Sequence, residues 1–306
     1  MSTQGKASWI AADWGTSNLR IWAMDGAGNP FARRSSGKGM GKLARNEFEP
    51  ALLELIGDIL DEGSRTPVIV CGMAGARQGW VEAPYKAAPC APPSLEEATR
   101  VDTQDTRLDV LILPGVLQHA PADVMRGEET QTAGVLAEDP DFHGVLCLPG
   151  THTKWAIVGN GEIISFRTMM TGEVFALLSG HSVLRHGLSQ DALEAEAFAQ
   201  AVREAFETPA QLTAGLFGIR AAGLIAGLTP EAARGRLSGL LIGAELAAVQ
   251  NDIANRPVAI VGTDRIAKTY ESALECVGFD TSLLDGDSIT LKGLSLAFSS
   301  FSKEPS

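Results

Sequence analysis

Two α/β domains of related construction are what this sequence predicts, and three observations predict them. An apolar run, a Gly-Thr turn and a second apolar run occur at residues 10–22 and recur at residues 145–158. Apolar runs that break into glycine, such as Val68-Ile69-Val70-Cys71-Gly72 and Val258-Ala259-Ile260-Val261-Gly262, alternate with stretches of helical periodicity, the pattern of mixed sheets flanked by helices. The length of 306 residues suits two domains, each able to bury a core. The expected division is 1–135 and 136–306.

The first turn, Asp13-Trp14-Gly15-Thr16-Ser17-Asn18, presents backbone N–H groups and short donors together, which is what holding a phosphate requires. Asp13, just ahead of it, suits Mg²⁺, an ion that takes one or two carboxylates and keeps several waters. The second copy reads Pro149-Gly150-Thr151-His152-Thr153-Lys154. In both copies a further turn follows, at residues 25–29 and at Asn160-Gly161, and then a third strand. A repeated hairpin opening each half implies a duplicated domain.

Between the first hairpin and the next strand, residues 36–43 read as a flexible glycine loop, and residues 48–60 set Leu52, Leu53, Ile56, Ile59 and Leu60 on one helical face. The strand beginning at Pro67 ends in Gly72-Met73-Ala74-Gly75, so a strand end opens onto a loop as binding sites in α/β sheets do. That loop carries Arg77, Gln78, Trp80 and Tyr85: an apolar face, an amide and a cation, the mixture that recognises a polyhydroxylated acid, although a surface loop with one buried Trp reads the same way. Residues 108–113 form a fifth strand. Gly127 then opens a helix whose first turn holds Glu128 and Glu129, where the helix dipole favours acids.

The second half continues to Phe166-Arg167-Thr168-Met169-Met170-Thr171-Gly172-Glu173, a strand end followed by a turn that either faces a site or caps a helix with Thr171. Residues 189–253 are helix-rich, with small residues at Ser238, Gly239 and Gly243 that allow close approach of a neighbour. Gly262 and Thr263 follow a buried-type strand and precede a helix. A last strand at 280–284 and a closing helix at 291–298 complete the second domain.

Composition excludes several classes of function. A hydrophobic fraction of 45% with 20% charged residues describes an ordinary globular chain. The net charge of −12 repels nucleic acid and anionic membrane surfaces. No signal-like start and no membrane-length apolar run are present, so a cytoplasmic location is expected. Cys71, Cys90, Cys147 and Cys276 lie far apart without metal-ligand spacing and read as free thiols.

The two Gly-Thr hairpins, together with the strand-glycine-helix segment at 257–268, resemble the superfamily of sugar kinases, Hsp70 and actin. That resemblance implies two ribonuclease-H-like (actin-like ATPase) domains with an ATP cleft between them. Within it the chain is similar to the 2-dehydro-3-deoxygalactonokinase family over nearly its whole length. The similarity rests on Ala12 to Arg20, Gly72-Met73-Ala74-Gly75 with Gly79-Trp80 and Ala83-Pro84-Tyr85, Met125-Arg126-Gly127-Glu128-Glu129-Thr130-Gln131, Pro149 to Trp155, Phe166 to Glu173, Leu240 to Glu245, and Gly262-Thr263. Asp264 departs from the small hydroxyl residue expected after Gly-Thr.

The resemblance implies ATP- and Mg²⁺-dependent phosphorylation of the 6-hydroxyl of 2-dehydro-3-deoxy-D-galactonate. Asp13 would anchor Mg²⁺; Gly15, Thr16, Ser17 and Asn18, with Gly150, Thr151, His152, Thr153 and Lys154, would hold phosphates; Gly262 and Thr263 would contact the adenosine. Glu128, or Glu129 in its place, would be the general base. Gly75, Arg77, Gln78 and Trp80 would line the sugar-acid site, with Arg20, Arg77, Arg126 and Arg167 as candidates for its carboxylate, because planar guanidinium matches carboxylate geometry. A kinase for the epimeric 2-dehydro-3-deoxygluconate, an ATPase or phosphatase of the same fold, and a binding protein stay open. The partners expected are the sugar acid and ATP, without nucleic acid or membrane; a homodimer is allowed, though no residue fixes the oligomeric state.

Overall fold

The computed structural model describes residues 5–262 and 264–301. In chain order the elements are β1 (Trp9–Trp14), β2 (Leu19–Met24), β3 (Pro30–Ser36), α1 (Phe48–Ile56), β4 (Thr66–Gly72), β5 (Tyr85–Ala87), β6 (Thr99–Arg100), β7 (Leu108–Ile112), β8 (Gly115–Gln118), β9 (Asp123–Met125) and α2 (Glu128–Glu138). They continue with β10 (Gly144–Leu148), β11 (Thr153–Gly159), β12 (Glu162–Met169), α3 (Thr171–His181), α4 (Ala195–Glu207), α5 (Leu212–Ile225), α6 (Pro230–Ile253), β13 (Val258–Gly262), α7 (Asp264–Cys276), β14 (Thr281–Asp285) and α8 (Gly286–Phe301). Among the described residues no helix is long and apolar enough to cross a membrane.

Two compact units result. The first holds the chain up to Phe142, Gly159–Ser165 and the chain from Gly286 on; the second holds His143–Val158 and Phe166–Asp285. This differs from a single break after residue 135, chiefly in α8, which belongs with the first unit rather than closing the second. The reason is packing: Leu294 and Ala297 are buried with Trp9, Ala11, Ile69 and Cys71, and Phe298 stacks on Trp9 at 4.3 Å between ring centroids. Glycines let α2 and α8 touch backbone to backbone, since a Cβ at Gly134 would lie 2.0 Å from the Ile289 carbonyl oxygen and one at Gly293 2.0 Å from that of Thr130.

In the first unit the main sheet runs β3-β2-β1-β4-β7-β6. β1 pairs antiparallel with β2, placing Asp13 opposite Arg20, and parallel with β4, which pairs parallel with β7. Alternation sorts the side chains of β1: Ile10, Ala12 and Trp14 join Phe48, Leu52 and Ile56 of α1, while Trp9 and Ala11 face α8. Burial on both faces is why these strands read as continuous apolar runs. A small sheet, β5-β8-β9, completes the unit.

In the second unit the sheet runs β12-β11-β10-β13-β14. β10 is antiparallel to β11 and parallel to β13, which is parallel to β14. The order around β10 repeats that around β1, so the two Gly-Thr turns connect equivalent strands. α4, α6 and α7 cover one face, with Phe198, Val202, Ile242, Leu246 and Tyr270 packed on Val145, Cys147 and Ile260. The small-residue face of α6 serves α4: a Cβ on Gly239 would stand 2.4 Å from the Phe198 carbonyl oxygen.

Candidate active site

Each Gly-Thr turn is built to offer N–H groups. In the first, Gly15 N–H closes the turn onto the Asn18 carbonyl at 2.9 Å, and residues 36–43, expected to be flexible, instead secure it from behind. The N–H groups of Gly39, Met40 and Gly41 donate to the carbonyls of Ser17, Gly15 and Thr16 at 3.2, 3.0 and 2.9 Å. Gly39 is required there, because any Cβ would fall 2.2 Å from the Ser17 backbone. With those carbonyls engaged on one side, Thr16, Ser17 and Asn18 are exposed, and their N–H groups have no acceptor among the described residues. Successive free N–H groups of this kind form an anion-binding concavity.

Asp13, the penultimate residue of β1, is half-buried beside this turn. Its carboxylate is ion-paired with Arg20, which also binds Asp287 in the first turn of α8; Arg33 pairs with Asp287 in turn. Burial pulls the Arg20 pKa down, and Asp13 and Asp287 more than offset it. Arg20 is therefore engaged by acids rather than presented to a substrate carboxylate. Asp287 carried no signal in the sequence, since an acid opening a helix is ordinary dipole complementation.

Among the loop residues, Arg77 and Gln78 are exposed, and Gly75 is buried. Trp80 corrects the expectation of an open stacking face: it is 7% exposed and packs against Trp14 and Phe48 with centroids 5.8 and 6.0 Å away. Its ring belongs to the core, and Tyr85 is the exposed aromatic of this loop. Arg126, 8% exposed, lies 4.3 Å from the Tyr85 ring centroid and donates from Nη2 to the Ala83 carbonyl at 2.8 Å.

The two adjacent glutamates differ in setting. Gly127, at φ 110°, opens α2 and donates its N–H to both carboxylate oxygens of Glu129 at 2.9 and 2.7 Å. Glu129 is 1% exposed. Burial first, and then the charge of Glu128, push its carboxyl up to about 8. Glu128 is half-buried and accepts the Arg126 backbone N–H at 3.0 Å. Of the pair, Glu128 is the one with access to solvent.

The second turn has its own support. Gly172 packs on it so closely that a Cβ would lie 2.3 Å from the Gly150 carbonyl oxygen, and Glu173 donates its N–H to the Thr151 carbonyl at 2.9 Å while its carboxylate pairs with His152. The 171–173 segment thus buttresses the turn, and the helix cap position falls to Met170, not Thr171. Gly150, Thr151 and His152 have no acceptor for their N–H groups among the described residues. Thr153 corrects another expectation: its hydroxyl is fully buried and bonded to Tyr270 at 2.7 Å, so it supports the turn from below. Lys154 is 7% exposed and donates to the His152 carbonyl at 3.2 Å.

Arg167 is bonded to the Ala248 carbonyl and paired with Asp252 at 3.4 Å, an arginine satisfied by its own neighbours. Gly262 ends β13 against Ala267 and Pro149; Thr263 lies outside the described residues. Beside the second turn is a cavity of about 380 Å³ whose walls include Gly150, Thr151, Phe175, Arg234, Ser238 and Arg265. Arg234 stacks on Phe175 at 5.0 Å. Sequence reasoning missed both arginines, because nothing in a helix-rich stretch distinguishes them.

The model of the 2-keto-3-deoxy-galactonokinase family matches residues 13–297. The chain belongs to this family. A Rhizobium meliloti (strain 1021) protein named "Probable 2-dehydro-3-deoxygalactonokinase" is 38% identical over 304 residues, covering 97% of this chain and 98% of its own length. The 2-dehydro-3-deoxygalactonokinase of Escherichia coli (strain K12) is 35% identical over 292 residues, covering 94% and 96%. A Sinorhizobium meliloti crystal structure described by the same enzyme name superposes with a TM-score of 0.89 at 37% identity, covering 97% of this chain and 100% of that one. At 12% identity and a TM-score of 0.51, an activator of 2-hydroxyisocaproyl-CoA dehydratase from Clostridium difficile, solved with bound ADPNP, shares the fold alone. The fold is the actin-like ATPase fold, and this 2-keto-3-deoxy-galactonokinase family member is a kinase of sugar metabolism.

Proposed function

We propose that this kinase transfers the γ-phosphoryl group of ATP to the 6-hydroxyl of 2-dehydro-3-deoxy-D-galactonate, giving the 6-phosphate and ADP. The observation that carries the reading is the pair of buttressed turns whose N–H groups, at Thr16 to Asn18 and at Gly150 to His152, lack acceptors among the described residues. Phosphate oxygens are the natural acceptors for such groups. The cavity beside the second turn, with its stacked Arg234 and Phe175, has the size and chemistry for a base and ribose.

Asp13 would hold Mg²⁺, which when bound neutralises phosphate charge; a half-buried carboxylate at a strand end beside an N–H-lined turn fits an ion that prefers oxygen donors and retained water. Glu128 orients the 6-hydroxyl and accepts its proton as the oxygen bonds to phosphorus and ADP leaves. Glu129, buried and inclined to be neutral, keeps a second negative charge away from the transferring phosphoryl group. Because phosphoryl transfer has a loose transition state, positioning outweighs base strength. Four free thiols, at Cys71, Cys90, Cys147 and Cys276, are in keeping with a cytoplasmic setting.

The test is ADP release with Mg-ATP across 2-dehydro-3-deoxy-D-galactonate, its gluconate epimer, the parent aldonates and no acceptor, with the product's phosphate position read by NMR. Turnover dependent on the galactonate-derived acid, a phosphate on C6, and a strong loss in Glu128→Gln are expected. Acceptor-independent ADP release would replace the reading with an ATPase, and preference for the epimer would reassign the substrate.

A further inference from the structure

Arg126 is the anomalous charge of the first unit. Its side chain is more than nine-tenths buried, yet its Nε and Nη1 have no hydrogen-bond partner, and no carboxylate forms an ion pair with it among the described residues. A chain with 37 acids and 25 Lys and Arg has no shortage of counter-ions. The Glu129 carboxyl feels this guanidinium, which lowers its pKa, but burial holds that carboxyl up at about 8, so it repays little of the cost of burying the cation. The other candidates differ: Arg20 and Arg167 are paired with acids, and Arg77 is exposed.

The surroundings also hold this guanidinium in place. Gly75 provides the room, since a Cβ there would lie 2.7 Å from Nη1, and Nη2 is tied to the Ala83 carbonyl. The Tyr85 ring lies over the guanidinium, and that ring packs edge-on to Gly115, where a Cβ would approach it to 2.8 Å. Two glycines thus position one stack. The Arg126 backbone N–H meets the carboxylate of Glu128, so the chain links this cation directly to the proposed base.

We infer that Arg126 binds the carboxylate of the sugar acid, with Tyr85 as the cover of the site. The inference rests on the kinase reading above and adds the group that recognises the acid as an acid. Nε and Nη1 are donors left without a partner, and a carboxylate is the acceptor that meets both their hydrogen bonds and their charge. Both are closed to solvent, and Tyr85, 37% exposed, is the more exposed member of the stack.

The chain has only two tyrosines, and Tyr270 is buried in the second unit, so 3-fluorotyrosine labelling yields one reporter at the site and one control. Fluorine NMR titrations with 2-dehydro-3-deoxy-D-galactonate and its uncharged carboxamide, alongside steady-state kinetics, are compared in wild type, Arg126→Met and Arg126→Lys. The acid should shift the Tyr85 signal in wild type and not in Arg126→Met; the carboxamide should shift it in neither. KM for the acid should rise roughly 30-fold or more in Arg126→Met and less in Arg126→Lys, with smaller change for the carboxamide. Equal losses on acid and carboxamide, or an unchanged KM, would overturn the inference, and Arg126→Lys decides it if the Met variant does not fold. A wild-type Tyr85 response to the acid without turnover would instead defeat the kinase reading while keeping the carboxylate site.

Discussion

The indole N–H of Trp155 donates to the carboxylate of Glu245 at 2.7 Å, joining two residues 90 positions apart. Tyr270 donates to the other oxygen at 3.0 Å, which leaves its own oxygen to accept from Thr153. A buried chain of donors therefore runs from the second Gly-Thr turn to one acid on α6. Burial raises the Glu245 pKa, and its hydrogen bonds oppose that rise.

Glu245→Ala should destabilise the protein by about 1–3 kcal/mol for each buried donor it strands. Glu245→Gln keeps the shape and one acceptor and should cost less. Urea denaturation orders the three proteins, and an Ala variant with the wild-type midpoint would show that the chain of donors contributes nothing to stability.

Glu129 predicts a pH dependence of stability. Its carboxyl is raised from 4.5 to about 8 in the folded state, so between those values the folded protein binds more protons than the unfolded one. Stability from this group is complete below pH 4.5 and declines as the pH rises toward 8, with a slope of at most about 1.4 kcal/mol per unit. Glu129→Gln, which cannot ionise, should remove that decline. Denaturation of both proteins at several pH values in this window measures the difference, and parallel curves would refute it.

Trp80, in the core with Trp14 and Phe48, should affect folding and not substrate recognition. Trp80→Ala should lose about 3–5 kcal/mol, in the range for large aromatic truncations. Trp80→Phe should be milder and leave KM for the sugar acid within about twofold, since a smaller aromatic ring can settle between Trp14 and Phe48 without reaching the site. A KM effect without loss of melting temperature would restore the stacking role.

Contact between α2 and α8 depends on two glycines. Gly134→Ala or Gly293→Ala places a Cβ 2.0 Å from a carbonyl oxygen of the facing helix and should lower stability by about 1–3 kcal/mol. Calorimetry on each variant checks it; unchanged melting would mean that the helices separate freely.

Sequence alone determined the α/β class, the repeat and the position of both Gly-Thr turns, because apolar runs ending in glycine are local patterns. It also placed Asp13 just ahead of the first turn, and Glu128 and Glu129 in the first turn of a helix, where the dipole gives an acid a local electrostatic reason to stand. Only the tertiary structure decided what each side chain faces. Trp80 and Arg77 stand three residues apart in one loop, yet one is in the core and the other in solvent. Thr153 and Thr151 differ in the same way within one turn. The pairing of Arg20 with Asp287 across 267 positions, and the lack of an ion-pair partner for Arg126 among the described residues, depend on which elements pack together. Local periodicity reports burial along one element; the counter-ion of a charge is set by distant chain brought near in folding, and no spacing in the sequence encodes it.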